Sequence, residues 1–235
     1  MLKSPYIAMV VTFAVAFLWL RINDYFAHRG WVDSALSRKI IHIGTGPIFV
    51  LCWLLFPDVP ISRFLAALVP AGISVQFAAV GLGLIQDPAA VDAMSRGGDR
   101  REILKGPLFY GIVFVALTLA YWKEHPVGLI ALMMLCGGDG LADVIGSRVK
   151  SAHLKWSVKK TWAGSAGMFF GGLFFSVVVL SIFVASGFFG GNAGFHFWRL
   201  AVIAAAAMLT ESLPVNDVDN LTVPLVVILV GHLLY

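Results

Sequence analysis

Residues 127–146 read VGLIALMMLCGGDGLADVIG, an apolar run long enough to cross a bilayer core of about 30 Å, closed by a polar, glycine-rich end. Asp139 and Asp143 are four positions apart, which on a helix puts both carboxylates on one face, one turn from each other. An ionisable group within a membrane segment costs about 3 kcal/mol on insertion scales, so two acids at such a helix end need water, partners or a metal. Entering from one side at Val127, the helix would reach Asp139 about two turns, and Asp143 about one turn, before its far end.

The chain around this run has the same character. Of 235 residues, 59% are hydrophobic and 13% charged, and the mean hydropathy is +0.87, outside the range of a soluble domain. The fold class is all-α, a polytopic integral membrane protein. Apolar stretches cover 5–21, 40–57, 63–85, 106–122, 127–146, 162–189, 198–213 and 221–235, giving about eight candidate transmembrane helices, the last one short. The first has one Lys before it but no small-x-small cleavage site after it, so it reads as a span and not as a signal peptide. With no linker, low-complexity segment or clear repeat, residues 1–235 are expected to form a single multi-pass domain. Cys52 and Cys136 lie inside spans without metal-ligand spacing and read as packing residues.

A sequence pI near 9.2 would suit nucleic acid, but the cations sit in short loops where topology accounts for them, and no nucleic-acid partner is expected. Loop by loop they run Lys3; then Arg21, Arg29, Arg38 and Lys39; then Arg63; then Arg96, Arg100, Arg101 and Lys105; then Lys123; then Arg148, Lys150, Lys155, Lys159 and Lys160; then Arg199. The rich loops alternate with the poor ones, which makes the rich ones cytoplasmic and both termini external. The last inner loop, 211–220, has no cation but holds Glu211, Asp217 and Asp219. Every unusual polar stretch then falls on one face: RKIIH at 38–42, GDRREILKG at 98–106, GDGLADVIG at 138–146, KKTWAGS at 159–165 and TESLPVNDVDNLTVP at 210–224.

Two acids one turn apart in a wet cleft suit Mg²⁺, which favours a couple of carboxylates completed by water and substrate phosphates. The plainer alternative is a pair of helix-end acids neutralised by Arg148 or Lys159. Gly140 and Gly146 among the neighbouring small residues permit close helix packing and also let a ligand approach the backbone. The basic loop 148–160 is by itself a topogenic or anionic-lipid contact. Beside paired acids, its lysines suit phosphoryl transfer, which is mostly positioning and charge neutralisation. His42, one turn inside the second span, is a candidate proton acceptor or phosphate donor, or else a buried structural His. Gly44, Gly46 and Pro47 suggest a bent or closely packed helix start. Asp219 or Asn220 is placed to cap the eighth span.

Together, GDGLADVIG, the basic spacer, KKTWAGS and the late ESLP followed by DNLTVP resemble the phytol kinase, farnesol kinase and dolichol kinase family over about residues 38–224. That resemblance implies a multi-pass enzyme that phosphorylates an isoprenoid or other long-chain lipid alcohol, such as phytol, geranylgeraniol, farnesol or a polyprenol. It also implies CTP as the donor, Mg²⁺ as the metal, and an active site on the cytoplasmic side of the cell membrane. Residue by residue, it implies Asp139 and Asp143 as catalytic metal-binding acids and Gly140 and Gly146 as their motif's glycines. Lys159, Lys160 and Gly164 fall in the nucleotide-binding K-K-S-W-x-G element, with Thr161 at the usual Ser position. His42 and Lys160 are further candidate catalytic residues, Arg101 and Lys105 further nucleotide contacts, and Glu211 and Asp219 further metal ligands. The short chain lacks the extra membrane region of dolichol kinases, which favours a shorter alcohol. Two rivals stay open: a CTP-dependent cytidylyltransferase acting on a lipid phosphate, and a transporter, for which broken helices and charges at mid-bilayer are expected.

Overall fold

The computed structural model describes residues 1–95, 97–190, 196–214 and 218–235. All eight apolar stretches are helical: α1 (Pro5–His28), α2 (Ser34–Cys52), α3 (Ile61–Leu82), α5 (Gly106–Tyr121), the run Pro126–Arg148, α8 (Trp162–Ala185), α9 (Phe197–Glu211) and α10 (Asp219–Leu234). A short helix, α4 (Pro88–Met94), lies between α3 and α5. Six of these stretches are long and apolar enough to cross a membrane; α9 and α10 have 15 and 16 residues. Prolines open α1, α4 and α5, where the missing N–H is one the helix would not have bonded. The second helix begins earlier than hydropathy suggests. Asp33 caps it by accepting from the Leu36 N–H at 2.8 Å, so Arg38 and Lys39 lie within its first turns and not ahead of it, and His42 lies deeper in the helix than expected.

The fifth stretch is the axis of the molecule. Every residue from Pro126 to Gly138 is buried, and α2, α5, α8, α9 and α10 all pack against this segment. It is not one regular helix: α6 (Pro126–Met133) passes into a π-helical turn, Met134–Asp139, before α7 (Gly140–Arg148) resumes. The π turn occurs where the backbone presses on α8. A Cβ on Gly137 would overlap the Phe175 ring, and one on Gly138 would lie 2.8 Å from Met168 Sδ. On the α8 side, a Cβ on Gly171 would come within 2.7 Å of the Gly137 carbonyl. Small residues thus let two backbones meet, the device membrane helices use in place of a hydrophobic drive. An added residue per turn is a feature that recurs at functional sites.

The same close packing explains α2. Gly44 admits the Trp19 ring of α1, and Gly46 admits the Cys136 side chain of the π turn. At the opposite end from Asp143, Leu2 N–H donates to Leu55 O at 2.7 Å, and Tyr121 Oη lies 2.9 Å from His232 Nε2. The N-terminus and the end of α10 therefore sit with loops 53–60 and 122–125. Lys123, buried in that end, donates to Phe56 O at 3.2 Å. Desolvation holds its ammonium below the ordinary lysine range, partly countered by Asp58. The basic loops gather at the other end. Arg38 donates to Ser95 O at 2.8 Å, Arg148 pairs with Asp33 at 3.1 Å, and the Trp156 indole donates to Ser212 O at 3.1 Å. Between α7 and α8 the loop folds into a hairpin, β1 (His153–Leu154) against β2 (Ser157–Thr161).

Candidate active site

Two ladders of charge meet at the basic end. On α2, Lys39 and His42 lie about one turn apart, as do Asp139 and Asp143 on the facing segment. Lys39 pairs with Asp143, and His42 Nε2 lies 3.6 Å from Asp139 Oδ2. The acids therefore face α2, while Arg148 goes to Asp33. His42 is held from behind. Its ring lies 4.5 Å from that of Tyr110 on α5, whose hydroxyl donates to the His42 carbonyl at 3.0 Å and sits 3.1 Å from Cys136 Sγ. His42 Nε2 also lies 3.4 Å from the Leu135 carbonyl. Two acceptors on the Nε2 side favour the neutral tautomer with its proton on Nε2, which would leave Nδ1 to accept a proton.

The second ladder joins β2 to α9 and α10. Lys160 pairs with Glu211, a carboxylate only 4% exposed, and lies 3.7 Å from Asp219. Burial acts to lower the Lys160 ammonium, but Glu211, Asp139 and Asp219 outweigh it and raise its pKa, so it stays charged across the physiological range. Asp139 is within electrostatic reach of Asp143, Asp219, Lys39 and Lys160, which ties the two ladders into one network. Asp219 is the first residue of α10 but does not cap it. Asn220 does not either, since its amide donates to the Gly106 carbonyl at 3.0 Å and anchors α10 to α5.

Beside the network is a cavity of about 150 Å³ lined by Ala142, Asp143, Gly146, Ser147, Lys159, Lys160, Thr161, Gly164, Ser165 and Glu211. Thr161 caps α8 by accepting from the Gly164 N–H at 3.1 Å. Gly146 and Gly164 face each other, and a Cβ on Gly146 would lie 3.3 Å from the Gly164 Cα. Gly140 packs under Ile43 and His42. A wholly apolar groove of about 360 Å³ lies along the same two helices, lined by residues including Leu141, Ile145, Gly167 and Phe170. Arg101 and Lys105 belong to the neighbouring 3₁₀ segment Arg100–Leu104 and its end, and they do not line the cavity. Arg96 and Asp217 lie outside the described residues.

The acids are hard oxygen donors of the kind Mg²⁺ takes. Among the described residues no three His, Cys, Asp or Glu side chains converge closely enough to hold an ion alone, and Lys39 and Lys160 already pair with Asp143 and Glu211. Such a donor set fits a metal that arrives with phosphate and water in its shell. Lys39 is the residue that sequence reasoning counted only as a loop cation. Its place three residues before His42, about one turn as with the four residues between the two acids, was the available signal. Tyr110 gave none, being one aromatic among many in an apolar helix.

No protein-family model matches the chain, and no solved structure matches it. Among curated proteins it is 39% identical over 230 residues to a probable chloroplastic phytol kinase of Triticum aestivum, covering 97% of this chain and 77% of that protein. It is 39% identical over 234 residues to the chloroplastic farnesol kinase of Arabidopsis thaliana, covering 99% and 76%. Phytol kinase 1 of the same plant is 36% identical over 207 residues, covering 87% and 68%.

Proposed function

Because this chain belongs to the phytol and farnesol kinase family, phosphotransferases with an alcohol group as acceptor, we propose that it moves the γ-phosphoryl group of CTP to the hydroxyl of an isoprenoid alcohol. Phytol, geranylgeraniol, farnesol or a short polyprenol would serve, and Mg²⁺ would be the metal. The observation that carries this reading is the joining of Lys39, His42, Asp139, Asp143, Lys160, Glu211 and Asp219 into one network at one end of the bundle. Phosphoryl transfer calls for charge neutralisation and alignment more than for covalent chemistry. Lys160 and Lys159 supply positive charge beside the cavity, and Lys39 supplies it from α2. Asp139 and Asp143, with Glu211 and Asp219 nearby, would hold Mg²⁺, which neutralises phosphate charge as it develops. His42, oriented through Nε2, takes the alcohol proton at Nδ1.

The face with the basic loops is proposed to be cytoplasmic, or its equivalent in whichever membrane houses the protein, since the relatives are named chloroplastic. There CTP is in solution while the lipid tail stays in the bilayer. The gathering of polar groups at one end, with the central helix broken only by a buried π turn, favours interfacial chemistry over transport.

The test is purified protein with γ-labelled CTP, ATP and UTP against phytol, farnesol, geranylgeraniol, a short polyprenol and diacylglycerol, with and without Mg²⁺. Metal-dependent labelling of an isoprenoid alcohol, strongest from CTP, is expected. Labelling of diacylglycerol alone, or of no lipid from any donor, contradicts the reading.

A further inference from the structure

We infer that the hydroxyl of Ser165 is a direct hydrogen-bond donor to the phosphate chain of the nucleotide, a role that rests on the kinase reading of the same site. Ser165 is 5% exposed and lines the polar cavity between Asp143, Lys160 and Glu211. Its Oγ is buried and has no hydrogen-bond partner.

Among the described residues Ser176, further along α8, shares this state but does not line the cavity. Thr12, Thr45, Ser74, Ser95, Thr118 and Thr210 each fold their hydroxyl back onto the carbonyl four residues earlier, at 2.6–2.9 Å. Hydroxyls on helices ordinarily do this when nothing else is offered. Ser165 does not, although its place on α8 would allow it. A buried donor left unpaired is costly, and an incoming acceptor would remove that cost.

The start of α8 explains why a side chain is needed. Helix N-termini bind anions through free N–H groups, but the first three of α8 are taken. Trp162 N–H donates to Ala152 O, Ala163 N–H to Ser151 Oγ and Gly164 N–H to Thr161 Oγ1, all at 3.1 Å. The dipole of a 24-residue helix still favours negative charge there, and Lys159 and Lys160 flank it. Ser165 is the neutral donor in this lining that is buried without any partner, and so is placed to fix a phosphate oxygen.

The experiment measures thermal shift of the full-length, detergent-purified protein against CTP with Mg²⁺ and against tripolyphosphate with Mg²⁺. It compares wild type, Ser165→Ala, Ser165→Cys and the double variant Lys160→Met with Glu211→Gln. Without ligand, Ser165→Ala should melt no lower than wild type, because it deletes an unsatisfied group. Its Kd for both probes should rise about tenfold, the size expected for one lost hydrogen bond to a charged acceptor. Ser165→Cys, similar in size but a weak donor, should show the same rise, and it decides the matter if the alanine variant folds poorly. Wild-type Kd in both Ser165 variants, with weakened binding in the Lys160 double variant, overturns the role of Ser165 and leaves the site standing. Wild-type Kd in all three overturns the site as well. Weakened CTP binding with unchanged tripolyphosphate binding overturns the phosphate assignment.

Discussion

Asp143 and Asp139 look equivalent in the sequence but have different partners in the fold. Asp143 is neutralised by a lysine ammonium, while Asp139 faces an imidazole. If both hold the metal, Asp139→Asn and Asp143→Asn each lower kcat at least about 10²-fold, the usual scale for removing one group that stabilises transition-state charge. Lys39 adds a sharper test. If it only neutralises Asp143, then Lys39→Met combined with Asp143→Asn is no slower than Asp143→Asn alone. If it also contacts phosphate, the double variant is slower still, and a double-mutant cycle on kcat and nucleotide KM separates the two. The acids were legible because charge in an apolar run is costly. Their partners were not, because pairing is decided by a helix about a hundred residues away, and local spacing cannot say which cation will arrive. The capping role expected of Asp219 or Asn220 failed for the same reason: a salt bridge and a carbonyl of another helix competed for those side chains and won.

Hydropathy located all eight helices and missed the break in the central one, since a π turn has no distinct composition and arises from contact with α8. The glycines and Ala142 around the two acids were read from the sequence as packing residues that could also admit a ligand to the backbone, and the structure shows the packing. Gly137, Gly138 and Gly171 serve packing, while Gly146 and Gly164 meet at the cavity wall. Gly171→Ala drives a methyl toward the Gly137 carbonyl, and backbone yields less easily than a flexible side chain. A cost of about 1–3 kcal/mol is expected, as for other overpacked sites. It should appear as a clear drop in melting temperature in detergent, with loss of activity if the π turn shifts Asp139. Gly190→Ala, with nothing within 4 Å, is the control and should melt as wild type does.

At the scale of the molecule, the alternation of cations and the eight helices agree that both termini lie at the end away from the site. In a Cys52→Ala, Cys136→Ala background, cysteines introduced at Lys155 and at Asp58 should therefore label from opposite sides of the membrane, with Lys155 on the nucleotide side. Labelling of both from one side would break the shared-face arrangement. What neither sequence nor fold makes legible is the alcohol itself, because a groove of Phe, Leu and Val that holds a tail has the same chemistry as any lipid-facing helix surface. The proposed reaction is nonetheless specific about bonds: the γ-phosphoryl group would move to a lipid hydroxyl, and CDP would leave. The direct measurement is parallel incubation of the protein, Mg²⁺ and the preferred alcohol with CTP labelled at the α or at the γ phosphorus. Labelled lipid is expected from γ-labelled CTP only, with the α label recovered in CDP. Labelled lipid from α-labelled CTP, with release of pyrophosphate, would contradict it and make the protein a cytidylyltransferase.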